Sequence, residues 1–416
     1  MKYNADLEKL CADYAFDGLK ESVAAFRAGN PGRKVVDLGV GDVCLPLPRV
    51  VGEAMAKASL ELCEKKTFRG YPPAGGYSFL KQKIVGRYAA EGIALSEDEI
   101  FVSDGTKSDV TRVCELFGRA NVLIPTPCYP ATRDVNYAAG NAVAELPCVK
   151  EEDFLPFPPY GKKYDVVWLC SPNNPTGSAL SFEGLRRWID YALSVGALVV
   201  YDGAYADFGD GRAPRSVYRD ARALRCAVEL RSFSKGAGFT GVRCGYAVVP
   251  RAAGEYNRLM KRNGGCRFNG VSYVTQRGAE AALSDEGRKI NEKNVKFYKT
   301  NAEILKNAFK NKNLWYNIND GSPYVFAEVP KGFSSADFCA RLLRETGVVA
   351  TAGSNFGKAG EGFFRLSARA HCGEVHLFDL SRDLGDDGKR DSLPRDAPYR
   401  YAPLLLRSGN AFHGIF

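Results

Sequence analysis

The chain has 416 residues, 45% hydrophobic and 25% charged, with 57 Lys+Arg against 48 Asp+Glu for a formal net charge of +9, the composition of an ordinary globular protein. Its three histidines, His371, His376 and His413, all lie in the last 46 residues, so the main body has no imidazole for the base of a serine or cysteine hydrolase or for the usual zinc sites. The basic excess is spread along the chain without Lys/Arg blocks interleaved with aromatics, which speaks against nucleic acid and suits either a mildly basic surface or an anionic cofactor and substrate.

In chain order, residues 35–40 (VVDLGV) predict a short strand ending in the turn Gly39-Val40-Gly41-Asp42, and 47–64 predict a helix opened by LPLPRVV. Residues 71–92 begin with Tyr71-Pro72-Pro73-Ala74-Gly75-Gly76 and continue into an amphipathic helix, apolar at Phe79, Leu80, Ile84 and Val85. A regular alternation follows: strand 100–103, helix 107–117, strand 121–124, helix 130–139, strand 165–170, helix 181–195, strand 197–201, and strands 226–231 and 244–249. Strands that alternate with helices, each strand a near-continuous apolar run, predict an α/β fold with a mainly parallel sheet covered by helices on both faces. After a helical stretch at about 271–312, strand-rich segments at 324–329, 348–351 and 362–367 predict a smaller α+β domain built from both termini.

A chain of this length exceeds one core. The expected division is an N-terminal arm and part of the small domain at 1–46, a large domain at 47–270, a small C-terminal domain at 271–370, and an atypical tail at 371–416. The twelve cysteines are scattered with no C-x-x-C pair and read as reduced core thiols rather than a disulfide framework or a metal site. The first thirty residues carry acidic side chains throughout and no apolar run of signal-peptide length, and no later segment approaches a membrane span. A cytoplasmic location is the expectation.

Ligands of such sheets sit at the carboxyl ends of the strands, and the turns there hold the chemistry-bearing residues. With no imidazole, lysine is the leading proton carrier, because its amine titrates downward when buried and forms Schiff bases with carbonyl groups. The run Arg231-Ser232-Phe233-Ser234-Lys235-Gly236-Ala237-Gly238 continues to Arg243-Cys244-Gly245-Tyr246 and sets Lys235 at a strand end among small residues and hydroxyls. That amine suits attack on a carbonyl carbon while Ser232, Ser234 and Arg243 hold a phosphate. It lacks the order of a Walker A loop, and a plain glycine-rich turn is the structural alternative.

Four further segments stand out, the first three with a bland reading beside the functional one. Ser171-Pro172-Asn173-Asn174-Pro175-Thr176-Gly177 need be no more than a turn. Asp202, after the apolar run Val199-Val200-Tyr201, is a helix cap or a functional carboxylate. Ser103-Asp104-Gly105-Thr106-Lys107 feeds a helix whose N-terminus binds phosphate or is simply capped by Ser or Asp. Arg365, inside the otherwise apolar GFFRLS, needs an anion, and a substrate carboxylate fits its bidentate fork.

Taken jointly and in order, DGTK, PTPCYP, SPNNPTG, VVYDGAY, SFSKGAGFTGVRCG and FFRLS resemble the class I/II aminotransferases of the pyridoxal-phosphate fold type I superfamily, across about 330 residues. Within that group SDGTKSD, SPNNPTG, VVYDGAYADF and SFSKGAGFTGVRCGYAVVP are most similar to the LL-diaminopimelate aminotransferase family. Asp13-Tyr14-Ala15-Phe16, Arg267-Phe268-Asn269-Gly270-Val271-Ser272, SPYVF at 322–326 and AGSNFG at 352–357 extend the resemblance.

The resemblance implies that Lys235 forms a Schiff base with pyridoxal 5′-phosphate and then carries the proton between substrate Cα and cofactor C4′. It implies that Asp202 pairs with the pyridinium nitrogen, that Asn174 and Tyr205 hydrogen-bond the phenolate oxygen, and that Tyr129 stacks on the ring. Gly105, Thr106, Lys107, Ser232, Ser234 and Arg243 would form the phosphate cup. Arg365, with Asn174 and the Gly41 backbone, would clamp the substrate α-carboxylate, and Tyr14, Tyr71 and Asn269 would stand at the mouth. In this fold some mouth residues come from the partner subunit, so a homodimer acting on small amino and 2-oxo acids is implied, with no metal, nucleic acid or membrane.

One stretch departs from the family. Diaminopimelate aminotransferases carry Gly-Ala-Glu-Gln-Gly after the tyrosine corresponding to Tyr71, the Glu reaching the far end of the long substrate, and here Ala74 and Gly75 replace the Glu and Gln. The leading expectation is transamination of LL-2,6-diaminopimelate with 2-oxoglutarate to tetrahydrodipicolinate and glutamate, in lysine biosynthesis. The alternatives are an aminotransferase of the same fold with another amino-acid substrate, a carbon–sulfur lyase of the superfamily, and a non-catalytic cofactor-binding regulator.

Overall fold

The computed structural model describes residues 4–10, 17–209, 211, 213–318 and 321–369. Tyr14, the three histidines and the expected tail at 371–416 lie outside the described residues. In chain order the strands are β1 (Val36–Asp37), β2 (Ile100–Ser103), β3 (Asn121–Thr126), β4 (Ala142–Pro147), β5 (Val166–Cys170), β6 (Leu198–Asp202), β7 (Ala227–Ser232), β8 (Gly245–Val248), β9 (Tyr324–Glu328), β10 (Val348–Val349), β11 (Thr351–Ala352) and β12 (Phe363–Ser367).

Seven of these form one sheet in the order β2-β8-β7-β6-β5-β3-β4. β4, β3, β5, β6 and β7 run parallel, and β8 is antiparallel to both β7 and β2. The apolar runs follow from burial of both faces. Val166 and Trp168 pack with Val200, Leu230 and Met260 on one face, while Val167 and Leu169 pack with Val199, Tyr201 and Trp188 on the other. This is the two-residue period of a pleated strand. Helix Phe182–Val195 covers the second face through Leu185, Trp188, Ile189 and Ala192, the spacing of a helical stripe. Ser181 caps its start by accepting from Gly184 N at 3.1 Å, and Gly196 ends it in the left-handed region at φ 73°.

A second core gathers Val36, Leu38, Leu305, Phe309, Phe338 and Phe364 around the antiparallel β11-β12-β9. β1 pairs in parallel with β10, Val36 opposite Val348, so an early strand is held by a late one. Helix Asp285–Asn311 runs from Tyr298, whose ring lies 6.5 Å from that of Phe208, to Leu305 and Phe309 in this second core.

The expected strand at 35–40 is shorter, because the next carbonyls leave the ladder. Leu38 O accepts from Ser367 N at 2.7 Å, and Gly39 O accepts from Arg365 and Thr351. The helix expected within 71–92 starts only at Ser78, and 348–351 divides into β10 and β11, which join different sheets. β4 and the helices Asp17–Gly29, Glu255–Arg267 and Ser335–Thr346 are additions to the sequence pattern. β4 is an edge strand with no fully buried residue, so it has no apolar run to betray it, and Glu255–Arg267 carries the weak helix formers Asn263, Gly264 and Gly265.

Candidate active site

The parallel strands β5, β6 and β7 end at one rim of the sheet, where a cavity of about 370 Å³ opens. Val40, Gly41 and Asp42 after β1, Tyr324 on β9 and Arg365 on β12 complete its wall.

Ser232 ends β7 and caps the short helix Phe233–Gly236, accepting from Ser234 N at 3.1 Å. That turn sends Lys235 into the cavity, where Nζ donates to Gly41 O at 2.5 Å. Residue 236 is glycine for a steric reason: a Cβ there would press on the Asp207 carboxylate, which pairs with Arg87 and Arg231. Burial, reinforced by the charges of Arg369, Arg365 and Arg243, holds the Lys235 amine well below its ordinary value against the opposing pull of Asp42.

Asp202 is the last residue of β6 and faces the same cavity, its Oδ1 accepting from Ala204 N at 3.0 Å. Burial pushes its carboxyl up to about 6, although the Ala204 bond and Arg231 pull the other way, the signature of a carboxylate that lacks a close cation. Tyr205 follows three residues later and its hydroxyl meets that of Tyr324 at 2.7 Å. Tyr129 stands at the start of helix Pro130–Ala138 and lines the cavity.

Arg365 is 1% exposed. Its Nη1 donates to Asn174 Oδ1 at 2.7 Å and its Nη2 to Gly39 O at 2.5 Å. The guanidinium lies 4.4 Å from the Tyr324 ring centre and 4.9 Å from that of Phe356, so its fork is fixed before any ligand arrives.

Gly105, at φ 126°, opens helix Thr106–Cys114 with no side-chain cap, and the first turn meets the cavity at Thr106 and Lys107. Ser232, Ser234 and Arg243 share that wall. Arg243 Nη1 donates to Thr240 O at 3.1 Å and to Ser234 Oγ at 3.4 Å, and a Cβ on Gly105 would occupy the place of its guanidinium. A helix N-terminus, two hydroxyls and an arginine converging on one point make an anion cradle.

The structure thus brings together Gly41, Gly105, Thr106, Lys107, Tyr129, Asn174, Asp202, Tyr205, Ser232, Ser234, Lys235, Arg243 and Arg365. Tyr71, 88% exposed, and the exposed Asn269 lie away from this cavity, and Tyr14 is outside the described residues. Lys20, Asp42, Cys170, Thr240 and Tyr324 also line the wall without having been assigned a role from sequence. Asp42 and Tyr324 sit in the GVGD turn and the SPYVF segment, whereas Lys20 belongs to helix Asp17–Gly29, which has no legible sequence pattern.

Fold and site together define an amine-bearing, anion-binding transferase of the α/β class. The sequence matches aminotransferase class I and II over residues 33–377, and the chain belongs to that family, whose members depend on pyridoxal phosphate. It is 41% identical over 389 residues to the LL-diaminopimelate aminotransferase of Bacteroides fragilis, covering 88% of this chain and 95% of that protein. It is 40% identical over 391 residues to the protein of the same name from Prochlorococcus marinus, covering 88% and 96%. Among solved structures, the L,L-diaminopimelate aminotransferase from Chlamydomonas reinhardtii superposes with a TM-score of 0.85 at 34% identity, covering 90% of this chain and 96% of that one. Among the described residues no helix is long and apolar enough to cross a membrane.

The residues present fit the cofactor. The cradle at Gly105 suits its phosphate, and the buried Asp202 carboxylate suits a protonated ring nitrogen. When bound, pyridoxal phosphate supplies a carbonyl carbon for amines and a ring that accepts the electron pair left at Cα. Lys235, its amine held low by burial, would be the residue to hold the cofactor and could carry a proton to or from a substrate Cα. Arg365, its fork fixed by Asn174, would suit a planar carboxylate on the same cavity wall as Lys235.

Proposed function

We propose that the protein transfers the amino group of LL-2,6-diaminopimelate to 2-oxoglutarate, giving tetrahydrodipicolinate and glutamate, in lysine biosynthesis and in the cytoplasm. The observation that carries this reading is likeness to LL-diaminopimelate aminotransferases over nearly the whole chain, 41% identity across 88% of it. In it Lys235 is the catalytic amine, Asp202, Asn174, Tyr205 and Tyr129 bind the ring, and the Gly105 cradle binds the phosphate. Arg365 and the Gly41 backbone receive the α-carboxylate. Tyr14, Tyr71 and Asn269 complete the neighbouring site in a homodimer, which accords with Tyr71 standing exposed and away from its own cavity. Division at 46/47 and 270/271 into large and small domains goes with the same reading.

Lys20 and Asp42 also line the cavity wall and carry opposite charges. Diaminopimelate carries a carboxylate and an ammonium at its far end, and this pair of opposite charges matches them. A second reading, the same chemistry on a different amino acid, is favoured by Ala74 and Gly75, which stand where a Glu and a Gln serve the relatives. Ala74 lies away from this cavity, near Gly264, 3.9 Å from where a Cβ on that glycine would stand. A panel of amino donors run on wild type and Lys20→Ala separates the two. The first reading expects LL-diaminopimelate to be the best donor and Lys20→Ala to raise its KM about tenfold. A shorter or aromatic donor that is preferred by wild type and indifferent to Lys20→Ala would favour the second.

A further inference from the structure

Arg369 lies two residues beyond β12 and outside the cavity wall. It is 2% exposed, yet no carboxylate pairs with it among the described residues. Its Nη2 donates to the backbone carbonyl of Lys235 at 3.2 Å, while Nε and Nη1 find no hydrogen-bond acceptor among the described residues. Aromatic rings take the place of an anion: the guanidinium lies 5.7, 5.0 and 5.3 Å from the ring centres of Tyr205, Phe208 and Tyr298. A buried guanidinium without a carboxylate is normally destabilising, and ring faces return only part of the lost hydration. A neutral side chain of the same size would pack there at lower cost, so the charge calls for a reason.

Its position supplies one. We propose that Arg369 is a positioning residue of this active site, clamping the main chain of Lys235 from behind the cavity and setting a fixed positive charge at the back of the reactive amine. The inference rests on the reading of Lys235 as that amine. The other charged groups acting on Lys235 come from three different segments: Arg365 on β12, Arg243 ahead of β8, and Asp42 after β1, of which only Asp42 favours the ammonium form. Asp207, behind Gly236, is already paired with Arg87 and Arg231. Among the cations Arg369 is the one with no duty toward an anionic ligand. Arg243 faces the phosphate cradle and Arg365 faces the substrate, so the charges of both are neutralised in the working enzyme. Arg369, caged by rings, keeps its charge through the whole cycle. Its effect is to favour the neutral, nucleophilic amine each time Lys235 is released.

The test uses three variants. Arg369→Met removes charge and donor, Arg369→Gln keeps a donor for the Lys235 carbonyl in a smaller neutral side chain, and Arg369→Lys keeps the charge. In cofactor-free protein, the pH dependence of Lys235 modification by a small amine-reactive reagent, read by peptide mass spectrometry, gives the ionisation midpoint of the amine. The midpoint should rise by about one pH unit in Arg369→Met and Arg369→Gln and stay near the wild-type position in Arg369→Lys. Cofactor release should quicken in Arg369→Met more than in Arg369→Gln, because only the former loses the clamp. Unchanged midpoints in folded Arg369→Gln, or an equal rise in Arg369→Lys, would overturn the proposal. Borohydride reduction of cofactor-loaded wild type separates this from the underlying reading: a tag on a lysine other than Lys235 sinks that reading, whereas a tag on Lys235 with an unmoved midpoint sinks only the role of Arg369.

Discussion

Arg365 and Asn174 stand 191 positions apart in the chain and meet through a 2.7 Å hydrogen bond from Nη1 to Oδ1. The bond ties β12 of the second core to the loop after β5 of the large sheet, so the buried Arg365 guanidinium is aimed by an amide from the other half of the molecule. The Gly39 carbonyl, at 2.5 Å from Nη2, fixes the opposite edge of the guanidinium. The placement of this guanidinium in the cavity therefore depends on the two cores being in register.

Arg365→Lys keeps the charge and loses the planar fork. With a single amino donor, steady-state kinetics should show kcat/KM lower by about 10²–10³-fold, mostly through KM, and Asn174→Ala should cost about tenfold by letting the fork swing. A loss confined to kcat with KM unmoved would place Arg365 elsewhere in the reaction.

Burial opposes the charge of Asp202 and pushes its carboxyl up to about 6. A carboxyl whose folded value lies above its unfolded one stabilises the fold fully below about pH 4 and loses that contribution as pH rises through 6. Asp202→Asn should accordingly stabilise the cofactor-free protein at pH 8, by about 2–3 kcal/mol, and confer little advantage at pH 4. The same change should lower kcat by about 10²–10³-fold in the loaded enzyme, since the ring nitrogen loses its counter-charge. Thermal melts at the two pH values together with one activity assay check both signs.

Gly105 sits at φ 126°, and a Cβ there would displace the Arg243 guanidinium. Gly105→Ala should fold, at a cost of about 1–2 kcal/mol for the backbone conformation, and should bind pyridoxal phosphate at least about tenfold more weakly. Equilibrium dialysis of the cofactor against wild type and variant measures it, and undiminished binding would remove Arg243 from the cradle.

The homodimer proposal makes a sharper demand than a molecular mass. Chains carrying Lys235→Ala and chains carrying Tyr71→Ala should each be nearly inactive alone. If Tyr71 serves the partner's Lys235, dissociation and mixing in equal amounts should restore about a quarter of wild-type activity, since half of the reassociated dimers are hybrids with one intact site each. No recovery after verified subunit exchange would show that Tyr71 does not serve the partner's Lys235.

Much of this architecture is legible in the sequence wherever burial is symmetrical. Strands such as Val166–Cys170 and Leu198–Asp202 are continuous apolar runs because both sheet faces are covered, and residues at or just past their ends, Asp202 and Asn174 of the Ser171–Gly177 turn, line the cavity. Lys235, Arg243 and Arg365 stand out as charges among glycines or apolar residues. Edge and surface elements are not legible: β4 has no buried run, and helix Asp17–Gly29, which brings Lys20 to the cavity, is largely exposed. Arg369 could not be found from sequence either, since its meaning lies in three rings and a carbonyl contributed by distant segments.

The most direct test of the account is turnover of LL-2,6-diaminopimelate with 2-oxoglutarate by purified enzyme shown spectroscopically to carry pyridoxal phosphate, with glutamate as the product measured. Glutamate formation that is saturable in LL-diaminopimelate and abolished in Lys235→Ala is the predicted result. No glutamate above the Lys235→Ala background, from an enzyme that aminates 2-oxoglutarate with another donor, would contradict it.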